Sequence, residues 1–142
     1  MIDPELVTRK MLLIARDLTA LDPIVQKSLA DYLASPIDEI LVERYLERII
    51  GRMIDINYHL ITESEHPPPA DYYESFIQLG RLGLLDPDFA GRIAACAGVR
   101  NRIVHEYDEL DPRKVYEALQ RASRDIPAYL RTIDEYVQRG AS

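Results

Sequence analysis

Leu41-Val42-Glu43-Arg44-Tyr45-Leu46-Glu47-Arg48-Ile49-Ile50-Gly51-Arg52-Met53-Ile54-Asp55-Ile56-Asn57-Tyr58-His59-Leu60-Ile61 is the stretch that decides the fold. Leu41, Tyr45, Ile49, Ile56 and Leu60 fall near one stripe of a helix with about 3.6 residues per turn. Leu46, Ile50, Met53, Ile54 and Ile61 widen that stripe, and one so broad must bury against more than one neighbour. Arg44, Arg48 and Arg52 recur every four residues and interleave with Glu43 and Glu47, the pattern of a solvated or partner-facing edge.

Working outward, the same periodicity continues. Ser35-Pro36 followed by Asp38-Glu39 opens this helix, with acids in the first turn where the dipole favours them. Upstream, Asp3 caps and Pro4 starts a first helix whose face is Val7, Met11, Ile14, Leu18 and Leu21. Asp22-Pro23 is expected to interrupt it, the chain resuming as a short or kinked segment from Ile24 to Leu33. Downstream, His66-Pro67-Pro68-Pro69 marks a loop. Asp71 to Leu82 reads as a short helix ended by Gly83, and Asp86-Pro87 opens another that runs through Phe89, Ile93 and Cys96 to Val99-Arg100. Asp111-Pro112 opens the last, with Val115, Leu119, Ala122, Ile126, Leu130, Ile133 and Val137 on its seam and Pro127 expected to kink or split it. No run alternates with period two for long enough to make a strand. The expectation is an all-α bundle of four main helices plus one or two short ones, a single domain over residues 1–142.

Composition narrows the function. No apolar run approaches the ~18 to 20 residues of a membrane span, and Met1-Ile2-Asp3-Pro4-Glu5 does not open like a secretory signal. The one cysteine, Cys96, sits among alanines as a small core residue, and a cytoplasmic location without membrane partners is expected. A net charge of −7 argues against broad, nonspecific nucleic-acid binding. Between Arg81 and His105, however, Arg81, Arg92, Arg100 and Arg102 face only Asp86 and Asp88, a local basic excess suited to a restricted substrate.

The chemistry concentrates in Arg100-Asn101-Arg102-Ile103-Val104-His105-Glu106-Tyr107. Arginine presents a planar fork matched to phosphate oxygens, and histidine exchanges protons near neutrality. Together they suggest phosphodiester chemistry or phosphate binding. His59 and His66 with Glu63 and Glu65 match no common metal-ligand spacing, so neither a metal nor another cofactor is expected.

Arg100, four intervening residues, His105, one residue and Tyr107 form R-x4-H-x-Y, which resembles the signature of HEPN-domain proteins and, within them, of HepT-like toxins. The resemblance covers nearly the whole chain, including Glu43-Arg44-Tyr45-Leu46, Ile54-Asp55-Ile56-Asn57-Tyr58-His59 and the long helix from Asp111-Pro112. It implies a HEPN-type bundle and a homodimeric, metal-independent endoribonuclease with Arg100 and His105 catalytic. It also implies a minimal nucleotidyltransferase antitoxin as partner, which silences the toxin by transferring AMP onto Tyr107. A non-catalytic HEPN module that binds and regulates a nucleotidyltransferase, or binds nucleotide, is the alternative.

The residues suit the reaction. Attack of a 2′-hydroxyl on the adjacent phosphate needs a base, an acid for the leaving 5′-oxygen and positive charge on the phosphoryl oxygens. His105 supplies base or acid and Arg100 the clamp, while Asn101 and Arg102 are candidates for substrate contact. Each chain carries a single motif histidine, so a two-fold dimer joining two motifs is expected to complete the acid–base pair. On an ideal helix Asn101 and His105 share a face, whereas Arg100 and His105 stand about 140° apart. These two converge only through arginine's length or an early end to the helix near Val104. Asp55 is expected to make a polar contact within the bundle or to support the motif.

Overall fold

Helices begin where the sequence offers caps. The computed structural model describes residues 1–141, and the expected domain's last residue, Ser142, lies outside them. In chain order the elements are α1 (Pro4–Val25), α2 (Leu29–Leu33), α3 (Pro36–Thr62), α4 (Tyr72–Arg81), α5 (Pro87–Ile93), α6 (Ala95–His105), a 3-10 turn (Tyr107–Glu109) and α7 (Pro112–Ala141). Asp3, Ser28, Ser35, Asp71 and Asp86 each accept a backbone N–H three residues on, a cap worth about 1 kcal/mol. Among the described residues there is no strand, as expected of an all-α bundle.

The broad stripe on α3 is explained by its neighbours, since α3 packs against α1, α2, α4, α6 and α7. Its true seam is Val42, Leu46, Ile49, Met53, Ile56 and Leu60, all essentially inaccessible. Leu41 is instead exposed and Tyr45 half-buried. Counting back from Ile49 by three and then four reaches Leu46 and Val42, while Leu41 and Tyr45 drift to the flank, which lies open at this end of α3.

Two expected breaks are absent and one unexpected break appears. α1 continues through Asp22-Pro23 to Val25. A proline here forfeits one hydrogen bond and crowds the Thr19 carbonyl, but burial of Leu21 and Ile24 on either side holds the last turn in register. α7 likewise passes Pro127 as one helix, with Ile126 and Tyr129 wholly buried around it. Conversely, the helix expected from Pro87 to Arg100 divides at Ala94, without glycine or proline at the break. α5 is drawn against α4, so closely that a Cβ on Gly80 would stand 2.9 Å from that of Ala90. α6 turns to pack on α3 and α7, and two partners in two directions require the bend.

A buried polar relay stiffens the side of the bundle that carries the site. The Tyr129 hydroxyl donates to Asn57 Oδ1 (2.6 Å), Asn57 Nδ2 donates to Ser75 Oγ (3.1 Å), and the Ser75 hydroxyl donates to the Tyr72 carbonyl (2.7 Å). Burial holds the Tyr129 phenol well above its ordinary pKa, so it stays a proton donor. The relay ties α7, α3 and α4 together and fixes Tyr72 at the start of α4.

Candidate functional site

Arg100 lies across α3 beside Gly51, where a Cβ would stand 3.8 Å from Arg100 Nε, at ordinary contact distance. Its guanidinium sits 5.2 Å from the centre of the Tyr72 ring, a cation–π contact. Tyr72 meets Tyr58 edge-on at 6.2 Å between ring centres. Among the described residues Arg100 Nε is buried without a hydrogen-bond partner, and the residue has no carboxylate partner. It lines a cleft of about 570 Å³ with Arg44, Arg48, Arg52, Tyr58 and Tyr72 among the other walls.

The α3 arginines are more committed than a solvated edge would be. Arg52 Nη1 and Arg48 Nε reach Asp17 Oδ2 at 2.7 and 3.2 Å, and Arg16 Nε approaches Oδ1 at 3.7 Å. Asp17, only 2% exposed, thus compensates several guanidiniums at once and leaves a positive excess on the cleft wall. Asp55 makes the polar contact within the bundle, joining α3 to α1 through Lys10 at 3.0 Å, and it does so from a largely exposed position that borders the same cleft. Arg44 pairs with Glu47 at 3.1 Å on the exposed edge. Burial, then Tyr72 and Asp71, raises the Tyr58 phenol above its ordinary pKa, so that ring stays neutral.

The remaining motif residues face elsewhere. α6 ends at His105, one residue beyond the expected stop, and Glu106 closes it by donating its N–H to the Arg102 carbonyl (2.8 Å). His105 therefore keeps its helical position on the exposed face with Asn101, and Arg102 is also exposed. None of these three side chains makes a hydrogen bond or ion pair among the described residues, and no contact joins His105 to Arg100. Tyr107 opens the 3-10 turn with 66% of its surface exposed. The wider basic excess is largely neutralised: Arg81 pairs with Glu74 (3.4 Å) and Arg92 with Asp125 (3.6 Å). Of the arginines on α4 to α6, Arg100 and Arg102 alone lack a carboxylate.

His59 has a structural task. Its Nε2 accepts the Asp3 N–H at 2.9 Å, pinning the start of α1 to the end of α3. Among the described residues no three His, Cys, Asp or Glu side chains converge as metal ligands. Sequence reading missed Asp17, Tyr58 and Tyr72 as site residues. Asp17 left a trace, a carboxylate three residues after Ile14 on the buried side of α1, opposite arginines at four-residue spacing; Tyr72 left none.

Residues 14–133 match the protein family described as Ribonuclease HepT-like. Among characterised proteins the chain is 38% identical over 136 residues to the tRNA nuclease HepT of Aphanizomenon flos-aquae, covering 96% of this chain and 92% of that one. Two solved structures share the fold. The cytosolic protein YutE of Bacillus subtilis, of unknown function, superposes with a TM-score of 0.85 at 15% identity, covering 98% of this chain and 93% of its own. A tri-AMPylated Shewanella oneidensis HEPN toxin in complex with MNT antitoxin gives 0.83 at 22% identity, covering 95% and 99%. Among the described residues no helix is long and apolar enough to cross a membrane.

Proposed function

Because the chain belongs to the HepT-like family of ribonucleases, we propose that it is a metal-independent endoribonuclease acting as the toxin of a toxin–antitoxin pair. The observation that carries this reading is the state of the motif. Arg100 and Arg102 are the arginines of α4 to α6 with no carboxylate, and His105 stands exposed at the end of the same helix. In the reaction, His105 removes the 2′-hydroxyl proton as the oxygen attacks phosphorus, or protonates the 5′-oxygen as the P–O5′ bond breaks. The products are a 2′,3′-cyclic phosphate and a 5′-hydroxyl. Arg100 balances the charge on the phosphoryl oxygens, and Asn101 and Arg102 contact the strand.

A homodimer belongs to this reading. Within one chain Arg100 lines the α3 cleft while His105 looks outward, so a single copy offers one histidine and an arginine on another face. A two-fold axis near Arg100 to His105, with the two motifs lining a shared cleft, brings two histidines together as acid and base and sets the arginines around the same phosphate. The single domain is the catalytic unit. The name of the tRNA nuclease relative makes tRNA the first substrate to try.

The partner in this reading is a minimal nucleotidyltransferase antitoxin, and its target is Tyr107. The phenolic oxygen attacks the α-phosphorus of ATP and pyrophosphate leaves, which places an anionic phosphate and a nucleotide beside the motif. Exposure of Tyr107 supports this, as does the AMPylated toxin that shares the fold. The phosphate competes with substrate for the motif arginines and the nucleotide obstructs access, so inhibition needs no unfolding.

The test is cleavage of tRNA by the purified protein in the presence of chelator, with end-group analysis for the cyclic phosphate and light scattering for the dimer. The nucleotidyltransferase with ATP should add AMP-sized mass to the Tyr107 peptide, and Tyr107→Phe should block both adduct and inhibition. Full cleavage by His105→Ala protein would reject the assignment. A protein that binds the nucleotidyltransferase yet cleaves no RNA is the non-catalytic module instead.

A further inference from the structure

The cleft along α3 is larger than the motif requires. It runs from Arg44 to Tyr58, about 21 Å at about 1.5 Å per helical residue, and only Arg100 among its cations belongs to the motif. Arg44, Arg48 and Arg52 line it from one end, and the Tyr58–Tyr72 pair, with Arg100 against Tyr72, stands at the other. We propose that it holds the RNA strand beside the cleaved bond, Arg44 and Arg100 gripping a phosphate and Tyr72 stacking the adjoining base. This rests on the ribonuclease reading and extends it to residues outside the motif.

Three observations carry the proposal. Charge is the first: four arginines line the cleft against two carboxylates, Glu47, which pairs with Arg44, and Asp55, which pairs with Lys10. With Asp17 shared by Arg48 and Arg52, the wall still keeps a positive excess. In a chain of net charge −7, a short positive groove confines a polyanion to this place. Preorganisation is the second. Asp17 fixes Arg48 and Arg52 from behind, and Tyr72 fixes Arg100 with its Nε unpartnered. Guanidiniums anchored in this way lose little side-chain freedom when a phosphate arrives. Chemical pairing is the third, because cations beside neutral aromatic rings are what single-stranded nucleic acid uses, phosphates on the one and base faces on the other. The cation–π contact keeps the Arg100 guanidinium beside the Tyr72 ring, so the phosphate and base contacts adjoin. Asp17, Arg48 and Arg52 are positioning residues here, whereas Arg44, Arg100 and Tyr72 touch the strand.

The probe is a fluorescein-labelled, fully 2′-O-methylated single-stranded RNA, which lacks the attacking hydroxyl and so reports binding without cleavage. Anisotropy titrations across a salt series compare the wild-type protein with Arg44→Gln, Tyr72→Leu, Tyr72→Phe and, as a charge control on an exposed part of α7, Arg131→Gln. Losing one phosphate contact should lower the slope of log affinity against log salt by about 0.7 in Arg44→Gln. Tyr72→Leu should weaken binding about fivefold or more, the loss of one stacked base, while Tyr72→Phe and Arg131→Gln stay within about twofold of wild type. Thermal melting of each variant separates lost binding from lost fold. Wild-type affinity and salt slope in both Arg44→Gln and Tyr72→Leu would overturn the proposal even if the protein cleaves RNA. So would failure of the wild-type protein to bind the probe. Selective loss in those two variants upholds the cleft as an RNA site even if no cleavage is seen.

Discussion

The two faces of α6 are built to opposite specifications. Its inner face places Arg100 over Tyr72 and against Gly51, in a wall where Asp17 holds two further arginines and a buried relay holds the tyrosine's carbonyl. Its outer face carries Asn101, Arg102 and His105 exposed and unpaired among the described residues, with Tyr107 just beyond. Under the proposed function the contrast separates two jobs. A phosphate clamp gains from being fixed before substrate arrives, since its guanidinium then needs no reordering. Groups that exchange protons, meet a second copy or accept a nucleotide must be reachable, and the exposed end of a helix provides that.

The largest expected effects fall on catalysis and break the comparison most directly. His105→Ala should lower cleavage by about 10² to 10⁴, the usual share of a general acid–base group, with stability unchanged to within about 0.5 kcal/mol. Arg100→Ala should lose activity too but also cost about 1 kcal/mol of stability, because it gives up the contact with Tyr72. Equal melting temperatures for the two variants would show that the inner face is no more committed than the outer.

Next comes the anchor behind the cleft. Asp17→Ala leaves Arg48 and Arg52 facing each other without their carboxylate and should destabilise the fold by about 2 to 3 kcal/mol. The figure sits at the low end for a buried pair because both arginines retain some solvent access. Chemical denaturation measures it, and a loss below that of an ordinary surface substitution would mean Asp17 anchors nothing.

A smaller effect of opposite sign is expected at Gly51. The 3.8 Å gap to Arg100 Nε leaves ordinary contact room for a methyl group, so Gly51→Ala should stabilise α3 by up to about 1 kcal/mol. A fall in melting temperature would show that Arg100 needs closer approach than that gap indicates.

The smallest effect concerns Cys96, on the same helix but serving neither face. Burial, reinforced by Asp125 and opposed by Arg121, pushes its thiol up to about 12, so thiolate is scarce at neutral pH. Iodoacetamide should label it slowly in the folded protein and readily in denaturant, as mass spectrometry would register. Rapid native labelling would mean that α6 opens away from α7.

Much of this was legible in the sequence, element by element. The caps at Asp3, Ser35, Asp71, Asp86 and Asp111, the proline loop after His66 and the three-and-four spacing of apolar residues depend on neighbours a turn away, so they determine the helices and the all-α class locally. The local density of Arg100, Asn101, Arg102, His105 and Tyr107 marked the candidate site for the same reason. Tertiary structure alone decided the rest. Whether Pro23 and Pro127 stop a helix depended on what was buried around them, and the bend at Ala94 depended on α5 and α6 having different partners. That Asp17 on α1 meets Arg48 and Arg52 on α3, and that Tyr72 on α4 meets Arg100 on α6, are contacts between residues about 30 apart in the chain. Local periodicity fixes which face of its own helix a residue occupies; only packing fixes which residue of another helix it meets.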